Sequence, residues 1–212
     1  MSFNVNEIFY SLQGEGHHTG RPAVFCRFSG CNLWTGQDVD RTKAICQFCD
    51  TNFITAAESG GTFETASELI TAILSYFPDY KNQDYKPYVI LTGGEPALQI
   101  TQELISGLKE NGLEVGIETN GTKPLPKDID WVTVSPKAGT KLAITSGNEL
   151  KLVWPQESIL LADFEDLNFE HLYIQPRGGA DSSKSTELAI EICLKNPVWK
   201  LSLQTHKLIG IQ

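Results

Sequence analysis

The sequence predicts an α/β fold, an incomplete (βα) TIM-like barrel with a polar lumen. Three observations carry this. Strand-like and helix-like segments alternate through most of the chain, which is the rhythm of a parallel sheet. Most of the strands have one apolar side and one polar side, and the polar groups gather at or just beyond the C-terminal ends, where a βα array keeps its site. The chain has 212 residues, whereas a full barrel takes ~250 and fills its interior with branched apolar side chains.

Taken in order, residues 9–16 end in a glycine-bearing loop, and Arg21 and Pro22 lead into a strand-like run over 23–29. In that run Val24, Cys26 and Phe28 share one face and Phe25, Arg27 and Ser29 the other, so Arg27 points away from the apolar side. Residues 31–51 read as a long polar loop, and such loops in compact folds are usually functional or disordered. A helix follows, with Thr65 to Glu68 as its capping box, Leu69, Ile70, Ile73, Leu74 and Phe77 as its buried stripe, and Pro78 closing it.

Strands are expected at 88–92, 114–119, 131–135 and 149–153, with a helix at 101–111 ended by Gly112. A shorter helix near 157–163, a strand at 171–175, a helix at 183–195 and a last strand at 199–205 complete the series. The polar sides are then Arg27 and Ser29, Thr92, Glu118 and Asn120, Thr133 and Ser135, Glu149 and Lys151, Gln175 and Arg177, Gln204 and His206. These should converge on one cavity.

Length and composition ask for one domain over residues 1–212, with no repeat, linker or low-complexity segment. No apolar run approaches membrane-spanning length, and the first residues lack the basic and apolar regions of a signal peptide, so a cytoplasmic protein is expected. In that reducing compartment disulfides are not the expected use of five cysteines. A net charge of −9 without a basic cluster argues against nucleic acid as a partner.

Three of the cysteines, Cys31, Cys46 and Cys49, stand in the spacing Cys-x14-Cys-x2-Cys within a loop at about 30–51. Thiolates are the usual ligands of iron–sulfur clusters, and a four-iron cluster held by three of them keeps one iron open to a small ligand. Spacing alone leaves a structural zinc site open as well, closed by a fourth ligand such as Cys26, His17 or His18. Cys193, in an apolar helical run, reads as a buried small hydrophobe, and so does Cys26.

The run Leu91-Thr92-Gly93-Gly94-Glu95-Pro96 resembles the Gly-Gly-Glu-Pro motif of the radical S-adenosylmethionine (SAM) enzymes. Their usual cluster motif is Cys-x3-Cys-x2-Cys, and this chain departs from it in the first gap. The long gap, the opening stretch 7–16, Arg27 and the ending Gln204-Thr205-His206-Lys207 together resemble the 7-carboxy-7-deazaguanine synthases over essentially the whole chain.

The resemblance implies a radical SAM type of barrel in which Cys31, Cys46 and Cys49 hold a [4Fe–4S] cluster. SAM contacts would come from Phe48, Asp50, Gly93, Gly94, Glu95, Glu118, Asn120, Ser135, Pro136, Lys137 and Gln175. The implied substrate is 6-carboxy-5,6,7,8-tetrahydropterin, met by Leu12, Gln13, Gly14, Glu15, Arg27, Thr92, His206 and the end of the chain at Gln212, with Arg27 taking its carboxylate. Mg2+ at Thr51, a homodimer and a one-electron donor such as flavodoxin are implied too. The activity would be a lyase reaction in queuosine-type biosynthesis, contracting the pterin ring with loss of ammonia and re-forming SAM each cycle. Rival readings are a radical SAM activase acting on a partner protein and a zinc-stabilised interaction module that is not an enzyme.

Overall fold

A computed structural model describes residues 2–54, 56–79 and 85–212. Among these residues nine strands form a single open sheet in the order β3-β1-β2-β4-β5-β6-β7-β8-β9. β1 (Phe3–Leu12) pairs antiparallel with β2 (Pro22–Phe28) and with the short β3 (Gly61–Phe63). From β2 onward the neighbours are parallel: β4 (Tyr88–Gly93), β5 (Glu114–Thr119), β6 (Trp131–Val134), β7 (Ser146–Trp154), β8 (Asn168–Pro176) and β9 (Trp199–Leu201). This is the incomplete barrel the strand rhythm predicts, with the edges β3 and β9 left unjoined.

The helices form where their caps and apolar stripes place them. α1 (Ala66–Ser75) starts at Thr65, whose hydroxyl accepts from the Glu68 N–H, and α2 (Gln102–Glu110) starts at Thr101 in the same way. Leu69, Ile70 and Ile73 of α1 and Leu104, Ile105 and Leu108 of α2 pack on Val24, Cys26, Phe28, Leu91 and Ile117, the outward faces of β2, β4 and β5. α4 (Ser182–Lys195) covers the outward faces of β7 and β8 through Ala189, against Leu150, Leu152 and Ile174. Cys26 is buried in the outer core as expected, whereas Cys193 is only partly buried against it.

Four segments differ from the sequence expectation. Residues 3–12 form β1 rather than leading into a loop, because a register shift between Val5 and Glu7 leaves Val5, Asn6 and Ile8 all buried and hides the two-residue period. The expected helix at 157–163 is a single turn, α3 (Ala162–Glu165), since Ser158 at φ 61° interrupts it. The last strand stops at Leu201, and Gln204 and His206 lie at the start of the short α5 (Thr205–Ile209) instead of on a strand face. β3 has only three residues, too few to show a period.

The inward face is layered. Across the middle, Arg27 pairs in register with Thr92, Glu118 with Thr133, and Thr133 with Glu149, so the polar sides read for β2 and β4 to β7 form one polar band, which Gln204 and His206 join from the start of α5 rather than from a strand. Beneath it, at the N-terminal ends of the strands, Phe25, Tyr88, Ile90 and Trp131 make an apolar floor. His17 stacks on His171 at 4.2 Å and on Trp131 at 5.1 Å, and His18 meets Tyr88 edge-on.

His18 Nε2 has no hydrogen-bond partner among the described residues. Burial, reinforced by Arg21 and His17, pushes its imidazole down to about 4. Unfolded, a histidine titrates near ~6.5, so in between the unfolded chain binds the extra proton. The contribution to stability is therefore full above that value and is lost as pH falls toward 4. We expect the thermal midpoint of His18→Phe to drop less than that of the wild type between pH 6.5 and pH 4, as read by scanning calorimetry. Equal acid sensitivity in the two proteins would remove His18 from the account.

Candidate active site

The polar band opens upward into two chambers. The first, with about 970 Å³ of space partly open to solvent, is walled on one side by Cys31, Cys46 and Cys49 and on the other by the ends of β4, β5, β6 and β8. The second, about 920 Å³, lies between β1, β2 and the C-terminal segment. Glu15, Asp50, Thr51, Thr92, Glu118 and Gln204 line both and form the partition.

The cysteine loop is held by its own side chains. The Arg41 guanidinium lies 4.0 Å over Trp34 and donates to the Gln47 and Cys49 carbonyls at 3.1 and 3.0 Å, while Trp34 meets Phe53 edge-on at 5.6 Å. Backbone amides of Ile45 and Cys46 both donate to the Leu33 carbonyl, which brings the two ends of the long gap together. Burial, above all, pushes the Cys31 and Cys46 thiols up, and the other thiols add to it. The three are thus neighbours, yet among the described residues no three His, Cys, Asp or Glu side chains close on a point as a single metal ion requires. Three neighbouring thiols on one wall of an ample chamber fit a cluster that carries each on a different iron. The zinc alternative lacks its fourth ligand here, since Cys26 is in the outer core and His17 and His18 are in the floor.

The Gly93-Gly94 step is a close backbone approach. Gly94 N–H donates to the Phe28 carbonyl at 3.0 Å and Glu95 N–H to the Gly30 carbonyl at 2.8 Å, which locks the end of β4 against the start of the cysteine loop. Both glycines line the first chamber, as do Phe48, Asp50, Asn120, Ser135, Lys137 and Gln175. Lys137 Nζ donates to the Ser135 carbonyl and hydroxyl at 2.7 Å each and faces Cys46 and Cys49.

Two residues expected to contact the cofactor lie outside the cavity. Glu95 is fully buried, and its carboxylate accepts from Thr119 Oγ1 at 2.6 Å, Asn120 N–H at 2.7 Å and Ala97 N–H at 3.0 Å, so it ties β4 to β5 from behind. Pro136 lines neither chamber, and its carbonyl accepts from Gln156.

The second chamber collects Leu12, Gln13, Gly14, Arg27, His206 and Gln212. Arg27 Nε is paired with Glu7 at 2.7 Å, and among the described residues no hydrogen bond engages the Nη end of its fork. Gln13 is more committed than its expected role implies, because it donates to Glu118 at 3.2 Å and accepts from the Glu15 N–H at 3.1 Å. Gly14 is required beneath His206, where an added Cβ would sit 2.1 Å from Nδ1. The C-terminal segment closes the gap between β9 and β1: Thr205 N–H donates to Gly14, Ser11 Oγ to the Gln212 carbonyl, and Gln212 Nε2 to Glu7. Glu7 and Phe9 were missed as site residues, and the signal that could have found them is the alternation of β1 once its register shift is allowed for; Phe25, also on the wall, shares the Arg27 face of β2.

Carboxylates dominate the partition. Burial alone would raise Glu15, but Lys151 and Gln204 hold it down at about 2. Burial raises Glu118, with Glu149 and Glu15 adding to the effect of burial while Lys151 opposes it.

No protein-family model matches the chain. It is 56% identical over 215 residues to a 7-carboxy-7-deazaguanine synthase of Nitratidesulfovibrio vulgaris and 49% identical to one of Burkholderia multivorans, covering 100% of both chains in each case. The crystal structure of QueE from Escherichia coli superposes with a TM-score of 0.70 at 30% identity, over 97% of this chain and 95% of that one. An open barrel whose strand ends face three cysteines, together with end-to-end identity at this level, means that the chain belongs to the 7-carboxy-7-deazaguanine synthase family.

Proposed function

We propose that the protein contracts 6-carboxy-5,6,7,8-tetrahydropterin to 7-carboxy-7-deazaguanine with loss of ammonia, in queuosine-type biosynthesis. The observation that carries this is the pair of chambers sharing one wall, a thiol-lined chamber against a carboxylate- and arginine-lined one. A cofactor in the first and a substrate in the second would meet across Thr92 and Glu118. Bound together, the cluster and SAM would supply a 5′-deoxyadenosyl radical, the difficult part of the chemistry.

The chain's own part is to hold, orient and exclude water. Cys31, Cys46 and Cys49 would hold the cluster, and Gly93, Gly94, Asn120, Ser135, Lys137 and Gln175 would seat SAM beside it, with Phe48 and Asp50 at its adenine. In the second chamber Arg27 offers its Nη edge to a carboxylate, Glu15 accepts from an amino-bearing ring, and His206 and the C-terminal segment close over them. Thr51 on the partition is our candidate for a Mg2+ ligand, a hydroxyl being suited to a hard cation. The reading brings with it one domain, a homodimer, a one-electron donor such as flavodoxin and a cytoplasmic setting. Among the described residues no helix is long and apolar enough to cross a membrane.

The deciding experiment is anaerobic incubation of the reduced, cluster-loaded protein with SAM, magnesium and the pterin, followed by mass spectrometry. A product lighter by ammonia is expected, and 5′-deoxyadenosine accumulating without it would overturn the substrate. For Arg27→Ala, loss of a charge-assisted contact should weaken pterin binding by about 1.5–3 kcal/mol, roughly tenfold to a hundredfold. The cluster spectrum should be unchanged, and unaltered pterin affinity would clear Arg27 of that role.

A further inference from the structure

We propose that Lys151 is a positioning residue, whose ammonium ties Glu15 and Glu118 into one fixed pair of acceptors on the partition between the chambers. The inference rests on the function proposed above. Lys151 Nζ lies 2.7 Å from Glu15 Oε2 and 2.9 Å from Glu118 Oε2, and its side chain is only 4% exposed. The two carboxylates come from separate elements, the loop after β1 and the end of β5, and among the described residues Lys151 is the cation that forms an ion pair with both. The second oxygen of each is held by an amide: Gln204 donates to Glu15 Oε1 at 2.9 Å and Gln13 to Glu118 Oε1 at 3.2 Å. The result is a chain Gln204–Glu15–Lys151–Glu118–Gln13 with every oxygen aimed.

The ammonium decides what this network offers a ligand. Facing it are Glu15, Glu118 and Glu149 as carboxylates, and Lys137 and His206 as the other basic groups. Remove the ammonium, and two or three like charges share a buried space that cannot hold them all ionised. A carboxyl that takes up a proton becomes a donor where an acceptor stood. A ligand edge rich in N–H groups would then meet the wrong partner. Glu149 differs from the other two because it lines neither chamber and accepts from the His17 N–H at 2.9 Å.

The test compares Lys151→Met with the wild type in cluster-loaded protein, recording iron content, kcat and KM for the pterin, and SAM affinity at pH 7 and pH 9. Expected is full iron content, a pterin KM raised roughly tenfold or more at pH 7, and a smaller rise at pH 9 as the carboxylates ionise again. A wild-type KM, or a KM raised by the same factor at both pH values, overturns the proposal, since a purely structural lysine has no reason to respond to pH. Should Lys151→Met not fold, Lys151→Met/Glu149→Gln removes one charge of each sign and carries the same expectation, while Glu149→Gln alone should keep the wild-type pH profile. If the wild type turns over no pterin, it is the function that fails, and Lys151 is then judged on SAM affinity, because both carboxylates also wall the cysteine chamber.

Discussion

Cys46→Ala protein, reconstituted under anaerobic conditions, is expected to lose SAM cleavage by more than about a thousandfold, over 4 kcal/mol of barrier, while keeping its thermal midpoint. The fold should survive because the loop is anchored elsewhere. Arg41 holds the Gln47 and Cys49 carbonyls, Trp34 packs on Phe53, and the Cys46 amide itself reaches Leu33 whatever its side chain. What is lost is one of three thiols, and with it the means of holding a four-iron cluster with a single open iron. Iron and sulfide analysis with 5′-deoxyadenosine quantitation checks this. Full iron with undiminished cleavage would take Cys46 out of the ligand set.

The second large effect is expected at Gly94. An alanine Cβ there would lie 1.9 Å from the Gly30 carbonyl oxygen and 3.2 Å from the Cys31 nitrogen, and both are backbone, so neither can step aside as a side chain would. Relief requires parting β4 from the cysteine loop at the Gly94–Phe28 and Glu95–Gly30 hydrogen bonds. We expect Gly94→Ala to cost about 3 kcal/mol of stability, at the upper end for overpacking, together with poor cluster retention. Gly139→Ala is the natural comparison: its φ of 75° carries strain but nothing lies within 4 Å, so about 1 kcal/mol is expected. Urea midpoints of the two variants would decide, and equal losses would remove the close contact as the cause.

Gly94 also shows what kind of information a motif holds. Gly-Gly-Glu-Pro reads as a cofactor edge, and its glycines do line the cysteine chamber. Glu95 turns its carboxylate away, into Thr119 and Asn120. The motif marks the right place in the chain, but which way a side chain faces after a glycine step depends on the backbone path that step allows.

Alternation and spacing in the sequence by themselves determined the strand segments β4 to β8, the polar face of each, and the cysteine loop as a functional one. These are local properties, written in periods of two residues and in the chemistry of thiols. Only the tertiary structure decided the rest. It placed β1 beside β2 despite a shifted register, brought the segment after β9 across to close the second chamber, and set Lys151 between carboxylates from residues 15 and 118. The two Lys151 contacts join positions more than thirty residues apart, and the strength of a buried charge depends on which partners the fold delivers to it.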